Sequence, residues 1–433
     1  MPKKVYFDAL NAALKKGTGV ATYARTLART ATSLGHETGL LYSTRRRLPR
    51  RPLEREVAFF DDTPEIGLPS SLRMAATGAL IVGSGFGARA QALPHGGRVI
   101  PPAPFLTDET FGCTQVFDRA RGWFELTGQF LKVSFPAKPD LFHWTFPLPI
   151  KATAGANIYT VHDLVPIRLP YTTLDWKRHY IRTMRAILRR ADHIVTVSEH
   201  SKRDIVEIFG ADERRITNTY QAVQLPADLI ERSTDDIAAE LAGVFGLDMQ
   251  GYLLFFGSLE PKKNLGRLVQ AYLSANVDIP LIVVVAQSWQ SDDETRLLNA
   301  MLDDDRSSER HGAPRRIRRY DYLPSRLLVT LVQGARAVLM PSLYEGFGLP
   351  VLEAMTLGTP VIASRVSSIP EVAGDAAVLI DPYDIDDIRK AIRAVTADND
   401  LRRDLVEKGR ARAKIFSTEA YEQRVDALYR QFL

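Results

Sequence analysis

Two carboxylates with a glycine-rich turn between them form the part of this chain best equipped for chemistry. Glu345 and Glu353 have seven residues between them, and the turn Glu345-Gly346-Phe347-Gly348 opens a predicted helix with Pro350 at its first position and Gly358 where it would stop. Such a turn offers free backbone N–H groups and the positive end of the helix dipole, which suit a phosphate. A carboxylate beside a bound phosphate is repelled unless it has hydroxyls to accept from, and ribose and hexose hydroxyls are the obvious donors. Lys262 and Lys263 stand at the start of another predicted helix, where ammonium groups could neutralise a diphosphate. His162 and Asp163 follow directly on the strand-like NIYTV, at the strand end where ligands sit in open α/β sheets.

These groups need strands and helices that stop in the right places. AVLM (337–340) and PVIAS (360–364) read as strands on either side of the glutamate pair, giving a β–turn–α–β unit. The same order recurs at the N-terminus. The strand-like KVYFDAL (4–10) leads to Gly17-Thr18-Gly19, then to a helix-like stretch over 20–34 with Val20, Tyr23, Ala24, Leu27 and Ala31 on one side. It recurs again at 251–272, where GYLLFF leads to Gly257 and Ser258 and a helix begins near Asn264. HIVTV (193–197) reads as a buried strand, and LIVVV (281–285), apolar on both faces, as a buried parallel strand. ITNTYQAV (216–223) is the last strand of the first half, and the proline- and acid-bearing stretch 224–250 is the boundary.

A chain of 433 residues has room for two or three cores. With 45% hydrophobic and 25% charged residues its composition is that of an ordinary soluble globular protein. Cys113 is the one cysteine, which excludes an internal disulfide and fits a reducing compartment. The N-terminus has no long apolar region and no run of about 18 apolar residues follows, so neither a signal peptide nor a spanning helix is expected. The net charge of +5 permits attraction to an anionic membrane or sugar nucleotide, and without zinc-finger spacing or a long basic arm no nucleic-acid partner is expected. The aspartates at 303–305 and Asp384-x-Asp386 suit helix starts and solvated loops better than a metal, so no obligatory metal is expected.

Two stretches of the first half stay open. Residues 43–56 hold six arginines and two glutamates, as a solvated loop or as a contact for anionic lipid head groups or a polyprenyl diphosphate. Residues 74–93 contain Gly83-x-Gly85-x-x-Ala88 after the strand-like ALIV, which formally satisfies a dinucleotide fingerprint. No acid follows at the right place, and a semi-exposed apolar helix facing membrane or a lipid-linked acceptor is the preferred reading.

EGFGLPVLEA, with GTPVIAS and SSIPEVAG beyond it, resembles the E-x7-E region of the retaining, nucleotide-sugar-dependent glycosyltransferases of family 4. HDL (162–164), VSEHSK (197–202) and the N-terminal glycine turn extend the resemblance over most of the chain, and residues 43–140 match least. It implies an α/β architecture of the GT-B type: two Rossmann-like domains with parallel sheets facing across a cleft, over 1–224 and 225–416, with a C-terminal crossover helix over 417–433. Tyr421, Val425, Leu428 and Phe432 would be that helix's packing stripe. It further implies that Glu353 accepts the ribose hydroxyls. Lys263, helped by Lys262, holds the diphosphate with the backbone of Gly346, Phe347, Gly348 and Leu349. Gly19, Gly257 and Ser258 lie along the donor, and Tyr320, Tyr322 and Leu323 lie near its base. Ser258 stands where the family usually has an arginine. Glu345 would meet the sugar hydroxyls or the oxocarbenium-like centre, and His162 the transferred sugar from the other domain, with His143 beside Trp144 a weaker candidate. Ser198 and Ser201 could cap a helix or touch ligand.

The implied donor is GDP-mannose, as in bacterial polysaccharide mannosyltransferases, with UDP-hexose or GDP-rhamnose open, and no cofactor beyond this co-substrate. The implied acceptor is a growing or lipid-linked glycan, and the place cytoplasmic, at the inner membrane face. A same-fold sugar-nucleotide hydrolase or epimerase, a retaining glycosidase and a non-catalytic nucleotide-sugar-binding module are the rivals.

Overall fold

The structure is a computed structural model that describes residues 2–14, 19–61, 77–94, 99–100, 106–286, 316–321 and 323–433. In the first half lie β1 (Lys4–Asp8), β2 (Glu37–Thr44), β3 (Ala88–Arg89), β4 (Gln91–Leu93), β5 (Glu109–Thr114), β6 (Leu131–Ser134), β7 (Leu141–Trp144), β8 (Ile150–Ala152), β9 (Ala156–Val161), β10 (His193–Thr196) and β11 (Ile216–Asn218). The main sheet runs β11-β10-β9-β7-β1-β2-β5-β4, and β3, β6 and β8 form a small second sheet. Every pairing in the main sheet is parallel except β4 with β5. Apolar runs such as NIYTV are buried on both faces because helices cover both sides of such a sheet.

The second half holds β12 (Leu253–Ser258), β13 (Leu281–Ala286), β14 (Ile317–Tyr320), β15 (Ala337–Met340), β16 (Val361–Ser364) and β17 (Val378–Ile380), an all-parallel sheet in the order β14-β13-β12-β15-β16-β17. Each sheet therefore reverses its winding once, between β1 and β7 and between β12 and β15. A crevice opens at the strand C-termini at such a point. Asp8, Thr145 and His162 leave the first sheet at or near it; Gly257, Ser258 and the Glu345 turn leave the second.

The terminal helix Thr418–Tyr429 buries Tyr421, Val425, Leu428 and Tyr429 in one apolar cluster with Tyr23, Leu27 and Ala31 of the helix Gly19–Ser33 and with Phe347, Leu349 and Leu352 from the second half. That cluster joins the two halves. The helix ends at Tyr429, so Phe432 sits beyond it, partly buried, and Tyr429 takes the stripe position expected of Phe432.

Other local expectations also shift. The strand over 216–223 stops at Asn218, and Tyr220 turns the chain in a left-handed conformation at φ 59°. ALIV is helical, not extended, so Gly83 and Gly85 do not follow a strand and the dinucleotide fingerprint has no frame. The last five residues of the arginine-rich stretch belong to the helix Pro52–Phe60, with Pro52 at its first position. Pro166 likewise lies in the first turn of a short helix, Val165–Arg168, where its missing N–H costs nothing.

Candidate functional site

The Glu345 turn is built by its own sequence and braced from below. Gly348 caps the helix Leu349–Thr356 at φ 107°, a backbone state that disfavours side chains. Ser367 Oγ accepts the Glu345 N–H at 2.9 Å, and Ser368 Oγ donates to the carbonyls of Glu345 and Phe347, both at 2.9 Å. Lys263 Nζ donates to Glu345 Oε1 at 2.6 Å, and both side chains are about nine-tenths buried. Burial raises the Glu345 carboxyl, but Lys263 and Lys262 together hold it below the ordinary range, so it is ionised. Burial also works against the charge on Lys262, yet Asp163, Glu345 and Glu260 outweigh it and keep that ammonium protonated.

Glu353 behaves differently. It sits on the same helix, less enclosed than its neighbours Leu352 and Ala354, and burial pushes its carboxyl up to about 7 against the pull of Lys263. Two carboxylates share one lysine, and Glu345 holds it by hydrogen bond.

The first half comes to meet this turn. Gly346 packs on the chain at His162: a Cβ there would lie 2.6 Å from the His162 carbonyl oxygen. The residue expected to lend its backbone to a diphosphate is thus needed as glycine for close approach. Ser201 Oγ donates to the His162 carbonyl at 2.8 Å and lies 3.3 Å from the Gly346 carbonyl. His162 Nε2 donates to the Thr145 carbonyl at 2.9 Å, and its ring meets Tyr23 edge-on at 4.8 Å between centroids. Burial lowers its pKa, with Thr145 and Asp163 pulling the other way, so the ring is neutral near pH 7 and Nδ1 carries the free lone pair. Gly19 opens its helix against the same turn, 3.2 Å from Leu349 Cδ1 to a Cβ at its place.

The remaining residues fall into place unevenly. Gly257 has φ 151° with open space where a Cβ would be, and partly buried Ser258 ends β12 beside it. Phe347 and Leu349 turn their side chains into the joining cluster, so only their backbone is left for a ligand. Tyr320 stacks edge-on with Phe245 at 5.4 Å and Leu323 packs on the same core; Tyr322, Gly17, Thr18 and the aspartates 303–305 lie outside the described residues. Arg365 is paired with Asp381 and Asp387 at 2.9 and 3.3 Å.

His143 is core, not site. It bridges Tyr429 Oη and Thr160 Oγ1 at 2.9 and 2.8 Å, and burial pushes it down to about 3. Trp144 is fully buried against Phe142 and cannot reach a sugar. Ser198 and Asp384 cap helices, through Ser201 N–H and through the N–H groups of Asp386 and Asp387. Sequence reasoning missed Tyr23 as a neighbour of His162, and it missed Asp8. Asp8 accepts the Thr145 N–H at 2.5 Å and is raised to about 6 by burial. Its place near the end of the strand-like KVYFDAL was the available signal.

The family described as Glycosyl transferases group 1 matches residues 243–412, and that described as Glycosyltransferase Family 4 matches 84–225. The O-antigen chain mannosyltransferase B of Escherichia coli is 36% identical over 267 residues, 60% of this chain and 67% of that protein. The chain belongs to the family 4 glycosyltransferases. Another relative, the serotype-specific mannosyltransferase WbdA of Escherichia coli, is 28% identical over 280 residues, 63% of this glycosyltransferase but 33% of WbdA, so the chain spans about a third of that protein's length. Among solved structures, sucrose-phosphate synthase from Thermosynechococcus elongatus superimposes with a TM-score of 0.66 at 18% identity over 99% of this chain and 98% of its own. Anabaena HepE, in complex with UDP and glucose, gives 0.65 at 15% identity over 99% and 100%. These likenesses carry the fold, which is GT-B.

Proposed function

We propose that this glycosyltransferase moves mannose from GDP-mannose onto a glycan or lipid-linked saccharide, with retention of configuration, in bacterial polysaccharide assembly. The observation that carries the reading is the Glu345 turn resting on the His162 carbonyl, with Lys262 and Lys263 beside it. The mannosyltransferase relatives supply the sugar. In this reading residues 1–224 meet the acceptor and 225–416 hold the donor. Glu353 accepts both ribose hydroxyls. Lys263, with the amides around Phe347–Leu349 and the help of Lys262, stabilises the diphosphate as its charge grows on bond breaking, often the largest single catalytic contribution. Glu345 faces the sugar hydroxyls or the oxocarbenium-like centre, and neutral His162 accepts from a sugar hydroxyl through Nδ1. The acceptor attacks from the face the diphosphate leaves, and no enzyme nucleophile or metal is required.

Incubation with radiolabelled GDP-mannose and membrane extract tests this. Label in lipid or polymer is the expected result. Free mannose would mean hydrolysis, and unchanged donor would mean a binding role or a different nucleotide sugar.

The enzyme works from the cytoplasm, peripherally at the membrane. Among the described residues no helix is long and apolar enough to cross a bilayer. In the first half Val82, Phe86, Leu126 and Trp176 are all at least 66% exposed. Arg178, Arg182, Arg185 and Arg189 line a shallow hollow of about 360 Å³. Each basic side chain near an anionic leaflet contributes about 1 kcal/mol. Co-sedimentation with anionic vesicles, abolished by replacing the four arginines with alanine, is expected. Equal binding to neutral vesicles would overturn it.

A further inference from the structure

One helix of the first half grips both loops that form the donor turn. In Glu199–Phe209, Ser201 reaches the carbonyls of His162 and Gly346, and buried Asp204 accepts from the Tyr344 hydroxyl and from Arg168. The N-terminus of that helix is held from the second half. Glu371 Oε1 accepts from the Glu199 N–H at 2.7 Å and Oε2 from the His200 N–H at 3.0 Å. A carboxylate across two free helix amides meets both the hydrogen-bonding need and the dipole. The Tyr220 hydroxyl adjoins it, pushed up to about 12 by burial and then by Glu371, so it stays protonated.

Glu371 is itself fixed. Arg412 holds the Glu371 carbonyl and donates to that of Val372 at 3.0 Å. Three and four residues upstream, Ser368 and Ser367 brace the Glu345 turn. The segment 367–371 thus supports the turn at one end and clasps the opposite domain at the other.

We propose that Glu371 is a positioning residue for transfer, acting through this helix. Its carboxylate sets the separation between His162 and the Glu345 turn, and so keeps the cleft shut against water while the sugar is in flight. The inference rests on the transferase reading above, but not on the identity of the donor. A misplacement of about 1 Å at the reacting centre costs on the order of a hundredfold.

The test compares Glu371→Ala and Glu371→Gln with the wild type, using whichever nucleotide sugar the wild type turns over. Inactivity on GDP-mannose would sink the donor assignment and leave this comparison standing. Glu371→Ala is expected to lower kcat for transfer tenfold or more. The Kd for the nucleoside diphosphate should change less than threefold, and free sugar released per transfer should rise. Glu371→Gln keeps one acceptor oxygen and should recover part of kcat. An unchanged kcat overturns the proposal, as does a loss of kcat matched by equal losses of nucleotide affinity and melting temperature. Should the alanine variant not fold, a threefold or greater fall in kcat for Glu371→Gln at constant nucleotide affinity supports the proposal, and no fall refutes it.

Discussion

At the scale of single residues, the two glutamates differ because one holds a lysine and the other does not. Glu353, raised to about 7 by burial, favours its neutral form in the folded state. Its contribution to stability is therefore full below the ordinary carboxyl range, near 4.5, and is lost as pH rises through about 7. Glu353→Gln removes that loss, so its melting temperature should exceed the wild type's at about pH 8, with the gap closing toward about pH 5. Donor affinity runs the other way, because ribose hydroxyls need an ionised acceptor. Calorimetry should show the wild type binding donor more tightly from about pH 6 to about 8, and the glutamine variant weak and flat; a flat wild-type profile counts against the ribose role. Lys263→Ala takes from buried Glu345 its hydrogen-bonded cation, leaving only the pull of Lys262, and should cost about 3–5 kcal/mol in urea unfolding, while the double variant with Glu345→Ala recovers part of it. Full additivity of the two single losses would show the pair to be uncoupled.

At the scale of elements, strand ends decide which side chains meet. β9 delivers His162, and β15 delivers the Glu345 turn, so that Gly346 lies on the His162 carbonyl. The carbonyl cannot easily retreat, because Ser201 and Tyr180 tether the backbone at 162 and 163. Gly346→Ala should therefore push the two halves apart. The expected outcome is a loss of transfer on the order of a hundredfold with nucleoside-diphosphate affinity within a few-fold of wild type, read by single-turnover kinetics and calorimetry. Undiminished transfer would mean that the close approach has no bearing on catalysis. The repeated order of strand, glycine turn and helix was legible because turn chemistry and apolar period are local. ALIV was not, since a four-residue apolar run suits either state; it is helical, with Ile81 packed on Gly122.

At the scale of the whole molecule, the terminal helix ties the halves together. Tyr429 gives its hydroxyl to His143, whose pKa burial has pushed down to about 3, and its ring to the joining cluster. Tyr429→Phe keeps the ring and leaves a buried imidazole nitrogen unpartnered, at an expected cost of about 1–3 kcal/mol in chemical unfolding. Leu428→Ala opens a cavity in the same cluster and should cost about 2–5 kcal/mol. If both left stability unchanged, the helix would not be part of the cooperative fold. The joining cluster also takes up the side chains of Phe347 and Leu349, so any contact they make with a donor is left to their backbone.

The amino-acid order by itself determined the parallel α/β halves and the Glu345 turn, because period, turn glycines and helix starts depend on near neighbours, and the resemblance of its motifs pointed to the family. It did not determine that His143 is core, that Tyr429 replaces Phe432, or that Glu371 reaches a helix 172 positions away. Those partnerships follow from sheet order and from where a helix happens to stop. Only the packed chain fixes them, since a carboxylate or imidazole finds its partner by proximity in space, and spacing along the sequence carries no record of it.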